Sequence, residues 1–354
     1  MVAIRSLEIE NFRSFAKLRV DGLTQVSLVV GANNAGKTAL LEAIEAIASD
    51  DSAFPLYRAS FERGEVRKVR GAEQDFVEID VRHWFHGHRL EEGAAFRLRA
   101  TGQRERSLSR SIQRVTDDDP SPPFTPGGLR LTLERPGMHA KLGRLPITPD
   151  GFLGAGPPSR FTQHALRLSP PVGFVTTDRL FPSELARLWT RVVLTPGEER
   201  AVEALRLIDP AVDRVAISGD GGSAVAQVLL RGAAGPVPLG TLGEGISRLL
   251  TLALHLAVTS GGILLIDEIE NGLHWSVLPQ LWRFLVETAR ALDVQVVATT
   301  HSKDCLDGLA ALHHTHPALA EHVSVHRLEA GGETSTRFDA ARIAEYVEMG
   351  LEAR

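Results

Sequence analysis

The sequence predicts an α/β fold with a mixed β-sheet, flanking helices and an inserted β-rich lobe. Two observations predict this fold. An apolar strand, a glycine-rich loop and a helix follow one another over residues 26–46, and strand-like and helical segments alternate after residue 171. Such alternation is typical of a largely parallel sheet covered by helices. Between these parts, residues 52–170 contain the short alternating strands and polar loops of the lobe.

The first strand, loop and helix have the pattern of a phosphate-binding loop. Residues 31–38 read G-x-x-x-x-G-K-T, which binds phosphate when it lies between a strand and a helix. The glycines let successive N–H groups point inward, Lys37 supplies a charge to the β- and γ-phosphates, and the Thr38 hydroxyl is a ligand for Mg²⁺. The alternative is an ordinary glycine turn, which the matching flanks disfavour. We predict that the nucleotide contacts Gly31, Asn33, Asn34, Ala35, Gly36, Lys37 and Thr38.

Composition limits the remaining classes of protein. A net charge of −5 gives no overall attraction to nucleic acid or membranes. Cys305 is the single cysteine, so no internal disulfide is possible and a reducing compartment is expected. The most apolar window, residues 249–266, is interrupted by polar residues and glycines, and the N-terminus alternates like a strand rather than a signal peptide. We therefore expect a cytoplasmic protein with no membrane partner.

The secondary structure can be predicted along the chain from hydrophobic spacing. Before the phosphate loop, strands are predicted at residues 4–9 and 18–20, and in the lobe at 76–84, 96–100 and 129–134. Proline and glycine become denser between Asp117 and Pro171, which predicts mobile loops. After the lobe, strands are predicted at 172–176, 212–218, 224–230, 263–267 and 294–299, and helices at 180–189, 198–207, 245–258, 276–291 and 303–312.

The strand at residues 263–267 ends in two acids, Asp267 and Glu268. Parallel sheets of α/β proteins hold ligands at the carboxyl ends of their strands. Asp267 would hold Mg²⁺ through water, and Glu268 would orient and deprotonate the attacking water. The alternative is a buried strand followed by an acidic helix cap, and the phosphate loop in the same chain disfavours it.

Two further elements complete a recognisable order. A glycine turn with Gly243, Glu244 and Gly245 opens a helix before the acidic strand, and the strand at 294–299 runs into Thr300 and His301 after it. In this order after a phosphate loop, these motifs resemble the nucleotide-binding domain of ABC ATPases. The fold class that the resemblance implies is a P-loop NTPase of ABC-ATPase type.

Within that superfamily, IENFRSF followed by GANNAGKTALLEAI looks like the SMC, RecF and OLD (overcoming lysogenization defect) branch. The runs LIDEIENGLHWSVLPQLW and VVATTHSKDCLDG are most similar to standalone OLD-like ATPases, many of which belong to phage-defence systems. The resemblance covers about the first 50 and the last 180 residues. It implies an ATPase domain in two parts, residues 1–51 and 171–354, separated by the lobe at 52–170.

The resemblance also implies a mechanism. Two subunits enclose two ATP molecules, each bound by the phosphate loop of one subunit and the signature turn, here Gly243, Glu244 and Gly245, of the other. Glu268 is then the catalytic base, His301 the residue that senses the γ-phosphate, and residues 271–274 cross the dimer interface. Arg13 is expected to approach the nucleotide. The sequence departs from the family at Gly243, where a serine is usual, and no glutamine can be assigned to the Q-loop.

Two functions remain open for such a chain. The first is an ATP-hydrolysing homodimer or higher oligomer that regulates or drives a separate effector, a nuclease or toxin, in anti-phage defence. A nuclease domain is not expected here, because OLD nucleases append one after the ATPase and only about 50 residues follow His301. The second is a RecF-like clamp that closes on DNA.

Two residue clusters bear on these alternatives. Arginines between Arg58 and Arg114 could track a DNA backbone, although the whole chain prefers arginine to lysine. His83, His86 and His88 have some of the features of a metal site, but no cysteine or acid pair completes it. We therefore expect DNA contact, if any, through the arginines of the lobe.

Overall fold

A six-stranded, mostly parallel sheet forms the centre of the fold in the computed structural model. The structure describes residues 2–49, 54–70, 76–114, 128–134, 145–156, 171–178, 180–218 and 224–349. The strands are β1 (Ile4–Phe12), β2 (Phe15–Asp21), β3 (Val26–Val30), β4 (Val66–Val69), β5 (Phe76–Asp80), β6 (Ala95–Gly102), β7 (Arg106–Arg114), β8 (Leu129–Glu134), β9 (Leu145–Ile147), β10 (Phe152–Gly156), β11 (Val172–Val175), β12 (Val212–Ser218), β13 (Val225–Leu230), β14 (Val237–Pro238), β15 (Ile263–Ile266), β16 (Gln295–Thr299), β17 (Val323–Arg327) and β18 (Thr336–Asp339). The helices are α1 (Lys37–Ala48), α2 (Phe54–Glu62), α3 (Pro182–Val192), α4 (Pro196–Leu205), α5 (Glu244–Val258), α6 (Leu278–Ala291), α7 (Lys303–Thr315), α8 (Pro317–Ala320) and α9 (Ala340–Glu348).

The central sheet has the strand order β11-β15-β16-β3-β17-β18, in which only β18 is antiparallel to its neighbour. Every residue of β3, β15 and β16 is buried. This matches their near-continuous apolar sequences, because a parallel strand is covered on both faces. The carboxyl ends of β3, β15 and β16 therefore lie side by side, and each runs into one of the motifs predicted from the sequence.

Two hydrophobic cores lie on the two faces of this sheet. Alternate residues of β3 divide between them: Leu28 packs with the helices of the C-terminal half, and Val29 packs with α1 and the N-terminal strands. Because successive side chains of a strand point to opposite faces, one short strand anchors both cores. The phosphate loop that follows β3 is thus fixed from both sides.

The first two strands are part of a second sheet, with the order β2-β1-β6-β7-β8-β9. Strand β1 pairs with β6, for example through Ile9 and Leu98, so strands of the predicted lobe extend a sheet that begins before the phosphate loop. Smaller three-stranded sheets are formed by β10-β5-β4 and by β12-β13-β14. The division of the chain at residues 51 and 170 does not coincide with a sheet boundary and stays a prediction.

Most of the predicted segments after residue 171 form the expected type of element. The strand predicted at 76–84 is wrong in its second half, since β5 ends at Asp80 and a 3₁₀ turn, Val81–Trp84, follows. The Asp80 carboxylate accepts a hydrogen bond from the Arg82 N–H and so starts the turn. The densest proline and glycine loops, predicted between Asp117 and Pro171, lie largely outside the described residues.

Candidate nucleotide-binding site

The loop after β3 takes a backbone conformation that its glycines make possible. Gly31, Asn34 and Gly36 have φ angles of 152°, 66° and 92°. A Cβ atom on Gly31 would lie 2.5 Å from the Leu328 carbonyl oxygen, and one on Gly36 would lie 2.5 Å from the Phe15 ring. Both glycines are therefore required by close packing as well as by the positive φ.

Lys37, the first residue of α1, reaches back across this loop. Its ammonium donates to the carbonyl oxygens of Gly31 at 2.8 Å and Ala32 at 3.0 Å. Burial lowers its pKa, and the nearby carboxylates of Asp267, Glu268 and Glu270 oppose that shift. Because carbonyls rather than a carboxylate hold the ammonium, phosphate oxygens can replace them without breaking an ion pair.

Asp267 joins the acidic strand to the phosphate loop. Its Oδ2 accepts from the Thr38 hydroxyl at 2.8 Å, and its Oδ1 accepts from the Thr299 hydroxyl at 2.5 Å. Thr38 follows β3, Asp267 follows β15 and Thr299 ends β16, so adjacent parallel strands deliver all three side chains. A hydroxyl and a carboxylate are oxygen ligands of the kind Mg²⁺ prefers, so Thr38 and Asp267 would hold the ion if it binds here. In the described part of the chain, no three His, Cys, Asp or Glu side chains form a metal cluster, and an Mg²⁺ site of this kind does not need one.

Glu268, Glu270 and His301 form a group beside Asp267. The His301 Nδ1 lies 3.3 Å from the Glu268 Oε1 and 3.6 Å from the Glu270 Oε1. Glu268 has a φ of 47°, and its N–H donates to the Thr299 hydroxyl at 2.9 Å. About half of the His301 side chain and a third of the Glu268 side chain are exposed, so a ligand can reach both. The sequence predicted Glu268 and His301, whereas Glu270 and Thr299 were missed.

The signature turn lies at the start of α5. Gly243 has a φ of 95° and a ψ of 170°, a conformation that is almost restricted to glycine. A Cβ atom on Gly243 would meet no other atom within 4 Å, whereas one on Gly245 would lie 3.0 Å from the Gly272 carbonyl oxygen. Glu244 is the first helical residue. The turn therefore packs on the segment after Glu268 in the same chain, and its Gly243 side is open.

Arg13, which the resemblance implies approaches the nucleotide, is held by carboxylates in this structure. Its guanidinium is 5% exposed and forms ion pairs with Glu42 of α1 and with Glu65. It belongs to a partly buried arginine–glutamate network behind α1, in which Arg63 also binds Glu42 and Arg58 binds Glu45 and Glu62. The neighbouring side chains, Ser14 and Phe15, are the ones that pack against Gly36.

Several arginines of the lobe are paired with carboxylates. Arg97 and Arg99 of β6 lie opposite Glu10 and Glu8 of β1, with N–O distances of 3.7 and 3.8 Å. Arg67 binds Glu78 and Asp150, and Arg114 binds Glu92. These acids offset the positive charge that would attract a DNA backbone, so DNA contact through the lobe stays a prediction.

The histidines of the lobe lie close together. The Nδ1 atoms of His83 and His88 are 3.1 Å apart, and the His83 Nε2 lies 3.4 Å from the Asp80 carboxylate. The His86 Nδ1 lies 3.1 Å from the Arg13 carbonyl oxygen. The His86 contact joins this segment to the turn at Arg13, whereas the His83 and His88 side chains contact each other on the surface.

Two family models match the chain at these motifs. The model described as "AAA ATPase domain" matches residues 3–101, which include the phosphate loop. The model described as "AAA domain, putative AbiEii toxin, Type IV TA system" matches residues 191–306, which include the signature turn, Asp267 and His301. The chain thus resembles AAA ATPase domains at its two motif regions. ATP is therefore the nucleotide expected at the phosphate loop.

Solved structures share the fold of this chain. An Smc head bound to the C-winged helix domain of ScpA is 14% identical, with a TM-score of 0.53 over 96% of this chain and 99% of that one. An Smc head from Pyrococcus furiosus, bound to the C-terminal domain of ScpA, is 12% identical, with a TM-score of 0.52 over 98% of each chain. The predicted fold class is confirmed: a mixed α/β P-loop ATPase fold with flanking helices.

Two relatives in sequence differ in how much of the chain they match. An ATP/GTP phosphatase of Helicobacter pylori is 21% identical over 331 residues, which are 86% of each chain. The DNA replication and repair protein RecF of Thermomicrobium roseum is 41% identical over 70 residues, which are 20% of this chain and 17% of RecF. The similarity to the phosphatase thus covers most of the chain, whereas the similarity to RecF is confined to 70 residues. None of the described helices combines the length and the apolar sequence that a membrane span would need.

Proposed function

We propose that this protein binds ATP with Mg²⁺ and hydrolyses ATP to ADP and phosphate. The observation that carries the proposal is the 2.8 Å hydrogen bond between Thr38 and Asp267, which are 229 residues apart. This contact unites the phosphate loop with the acidic strand, as nucleotide hydrolysis requires. The phosphatase name of the Helicobacter pylori relative supports the same reaction.

Each side chain of the site has a proposed role in the reaction. Lys37 binds the β- and γ-phosphate oxygens, and Thr38 and Asp267 hold Mg²⁺. When bound, Mg²⁺ neutralises charge on the phosphates. The Glu268 carboxylate accepts a proton from the water whose oxygen attacks the γ-phosphorus, and the bond to the ADP oxygen breaks. His301, 3.3 Å from Glu268, orients that carboxylate and reaches the γ-phosphate.

The test of this reaction separates binding from chemistry. A Glu268→Gln substitution keeps the shape of the side chain and removes the base. We expect ATP affinity to be retained and turnover to fall by about 10² or more. Calorimetric ATP titration and phosphate release measure the two quantities. A parallel loss of affinity and turnover would contradict the proposal that Glu268 is the base.

We further propose that two subunits close around two ATP molecules, each bound by one subunit's phosphate loop and the other's signature turn. The open side of Gly243 and the free N-terminus of α5 support this arrangement, since helix N-termini favour phosphate. ATP should convert Glu268→Gln monomers to dimers in light scattering, and Lys37→Ala should prevent the change. A protein that stays monomeric with ATP at every concentration would exclude the dimer.

The closed dimer is proposed to regulate a separate effector, a nuclease or toxin, in anti-phage defence of the OLD-like kind. The toxin–antitoxin wording of the family description supports this role. Tagged Glu268→Gln protein with ATP should retain the effector in a pulldown from cells of the source organism, and Lys37→Ala should not. Equal recovery with both variants would contradict an ATP-gated interaction.

A second candidate is an ATP-dependent DNA clamp, favoured by the 41% identity to RecF over 70 residues. This function predicts that ATP-bound Glu268→Gln protein retains duplex DNA. The affinity should fall with salt as phosphate contacts are lost. Replacement of Arg97 and Arg99 by Ala tests whether the lobe makes the contact, because both side chains are largely exposed.

A further inference from the structure

One buried arginine connects α5, which begins at the signature turn and is called the signature helix below, to the turn that contains Glu268. Arg248 lies in α5 shortly after the signature turn and is 8% exposed. Its Nη1 donates to the Thr176 carbonyl at 2.6 Å, and its Nη2 donates to the carbonyls of Asp267 at 2.9 Å and Glu268 at 3.0 Å. The guanidinium therefore binds the chain just beyond the ends of β11 and β15.

The choice of partners distinguishes Arg248 from the arginines of the network behind α1. It binds main-chain carbonyls, although the carboxylates of Asp267, Glu268 and Glu270 are near enough to influence it. Burial lowers its pKa, and those carboxylates oppose the shift. Burying a cation without a carboxylate partner is unfavourable. The three hydrogen bonds to carbonyls therefore have to offset that free energy.

These contacts act on a strained residue. Glu268 has a φ of 47°, which costs about 1 kcal/mol or more for a residue other than glycine and persists only when the surroundings fix it. The Thr299 hydroxyl accepts from its N–H, and Arg248 donates to its carbonyl. Both main-chain groups of Glu268 are thus held by side chains, one from the neighbouring strand and one from the signature helix.

We propose that Arg248 is a positioning residue that sets the place of the Glu268 carboxylate and makes the Glu268 turn move with the start of α5. The inference rests on the proposed function, in which Glu268 activates water. When the signature turn of one subunit contacts the partner's ATP, the Arg248 side chain then transmits any movement of α5 to Glu268 of the same subunit. Each of the two ATP sites of a dimer would in this way sense the other.

The first test compares Arg248→Met with a matched control. Methionine keeps an apolar stem and removes the donors. Arg206 is half-buried and also donates to carbonyls, those of Val212 at 2.7 Å and Asp213 at 3.4 Å, away from the site. We expect Arg248→Met to lower kcat by about 10- to 100-fold and to leave ATP affinity within about twofold. Arg248→Lys should recover part of the rate, and Arg206→Met should keep kcat despite a comparable loss in Tm.

The second test asks whether Arg248 acts through Glu268. Glu268→Gln removes the carboxylate that Arg248 is proposed to position. Adding Arg248→Met to Glu268→Gln should therefore not slow single-turnover hydrolysis further. If the two losses multiply, or if kcat falls only as far as in Arg206→Met, Arg248 is structural and the inference is wrong.

A third measurement separates this inference from the proposed reaction. If wild-type protein binds ATP and does not hydrolyse it, the proposed function fails. Hydrogen exchange at residues 267–271 then tests, independently of hydrolysis, whether Arg248 holds the turn. Exchange must be faster in Arg248→Met than in Arg206→Met if the guanidinium holds the turn, and equal rates would overturn the inference.

Discussion

Helix α1 separates two groups of charged side chains that are held in opposite ways. At its N-terminal end, Lys37 binds backbone carbonyls and Asp267 accepts from two hydroxyls. On its buried side, Glu42 and Glu45 bind the guanidinium groups of the arginine–glutamate network. The paired charges of the network neutralise each other. Lys37 and Asp267 are held by neutral groups, so each keeps its charge available for a phosphate or a metal ion at the candidate site.

The largest expected effect comes from Lys37→Ala. The ammonium can make about two charge-assisted hydrogen bonds to phosphate, each worth about 1.5–3 kcal/mol. ATP affinity should therefore fall by about 10² to 10⁴, as measured by calorimetric titration. Lys17→Ala on the exposed face of β2 is the matched control and should bind ATP as the wild type does. Unchanged affinity in Lys37→Ala would contradict the assignment of the loop.

Arg58→Met tests the other group. Arg58 is the cation that binds Glu45, whose side chain is 5% exposed, and it also binds Glu62. The charges of these acids outweigh the effect of burial and raise the pKa of Arg58. Removing one partner of a buried pair costs about 3–5 kcal/mol, which urea unfolding measures. Arg283→Met removes an exposed pair with Glu287 and should cost less than about 1 kcal/mol. Equal losses would mean that the network does not stabilise the fold.

The sequence predicted the site more completely than it predicted its support. Glycine spacing and strand ends identified Lys37, Thr38, Asp267 and Glu268 because these roles require particular residue types at fixed positions. Arg248 was not predicted because its partners are backbone carbonyls, which every residue has, so no residue type in the sequence indicates the contact. The role of the Thr299 hydroxyl could not be predicted either, because only the pairing of β15 with β16 places it beside Asp267.

Longer-range pairing set a second limit. Strand periodicity found most of β6 and β8, but no local signal shows that β6 pairs with β1. Strand β17, helix α9 and their contacts with the rest of the central sheet were not predicted either. Short strands acquire their place from partners far along the chain, and a window of ten residues contains no information about those partners.

Two buried histidines predict how the folded protein responds to acid. Burial lowers the pKa of both His255 and His326 from 6.5 to about 4. Between these values the unfolded chain binds protons that the folded chain does not, so the free energy of unfolding is full above about pH 6.5 and falls as pH decreases toward 4. Each histidine should contribute up to about 3 kcal/mol to this loss.

Urea unfolding at a series of pH values measures that loss. Replacement of His326 by Gln removes one titrating group and should flatten the pH dependence between 6.5 and 4. An identical slope in wild type and His326→Gln would contradict the prediction.

The smallest expected effect on stability is that of His301→Ala. About half of the side chain is exposed, so the free energy of unfolding should change by less than about 0.5 kcal/mol. Turnover should fall by about tenfold or more, because the Glu268 carboxylate loses its neighbour at 3.3 Å. A large drop in Tm with a proportionate loss of activity would instead mean that His301 stabilises the fold and has no direct role in hydrolysis.

The order of strands in the central sheet has a consequence for synthesis of the chain. Strand β3 leaves the ribosome early, yet its neighbours are β16 and β17, and the residue packed on Gly31 is Leu328. Translation of the intervening stretch of about 300 residues takes about 15 to 60 s at about 5–20 residues per second. During most of that time β3 lacks both of its neighbouring strands, although α1 and the N-terminal strands that pack on Val29 are already made. A nascent chain that stops before Leu328 contains Lys37, Thr38, Asp267 and Glu268, but it lacks the residue whose carbonyl packs on Gly31.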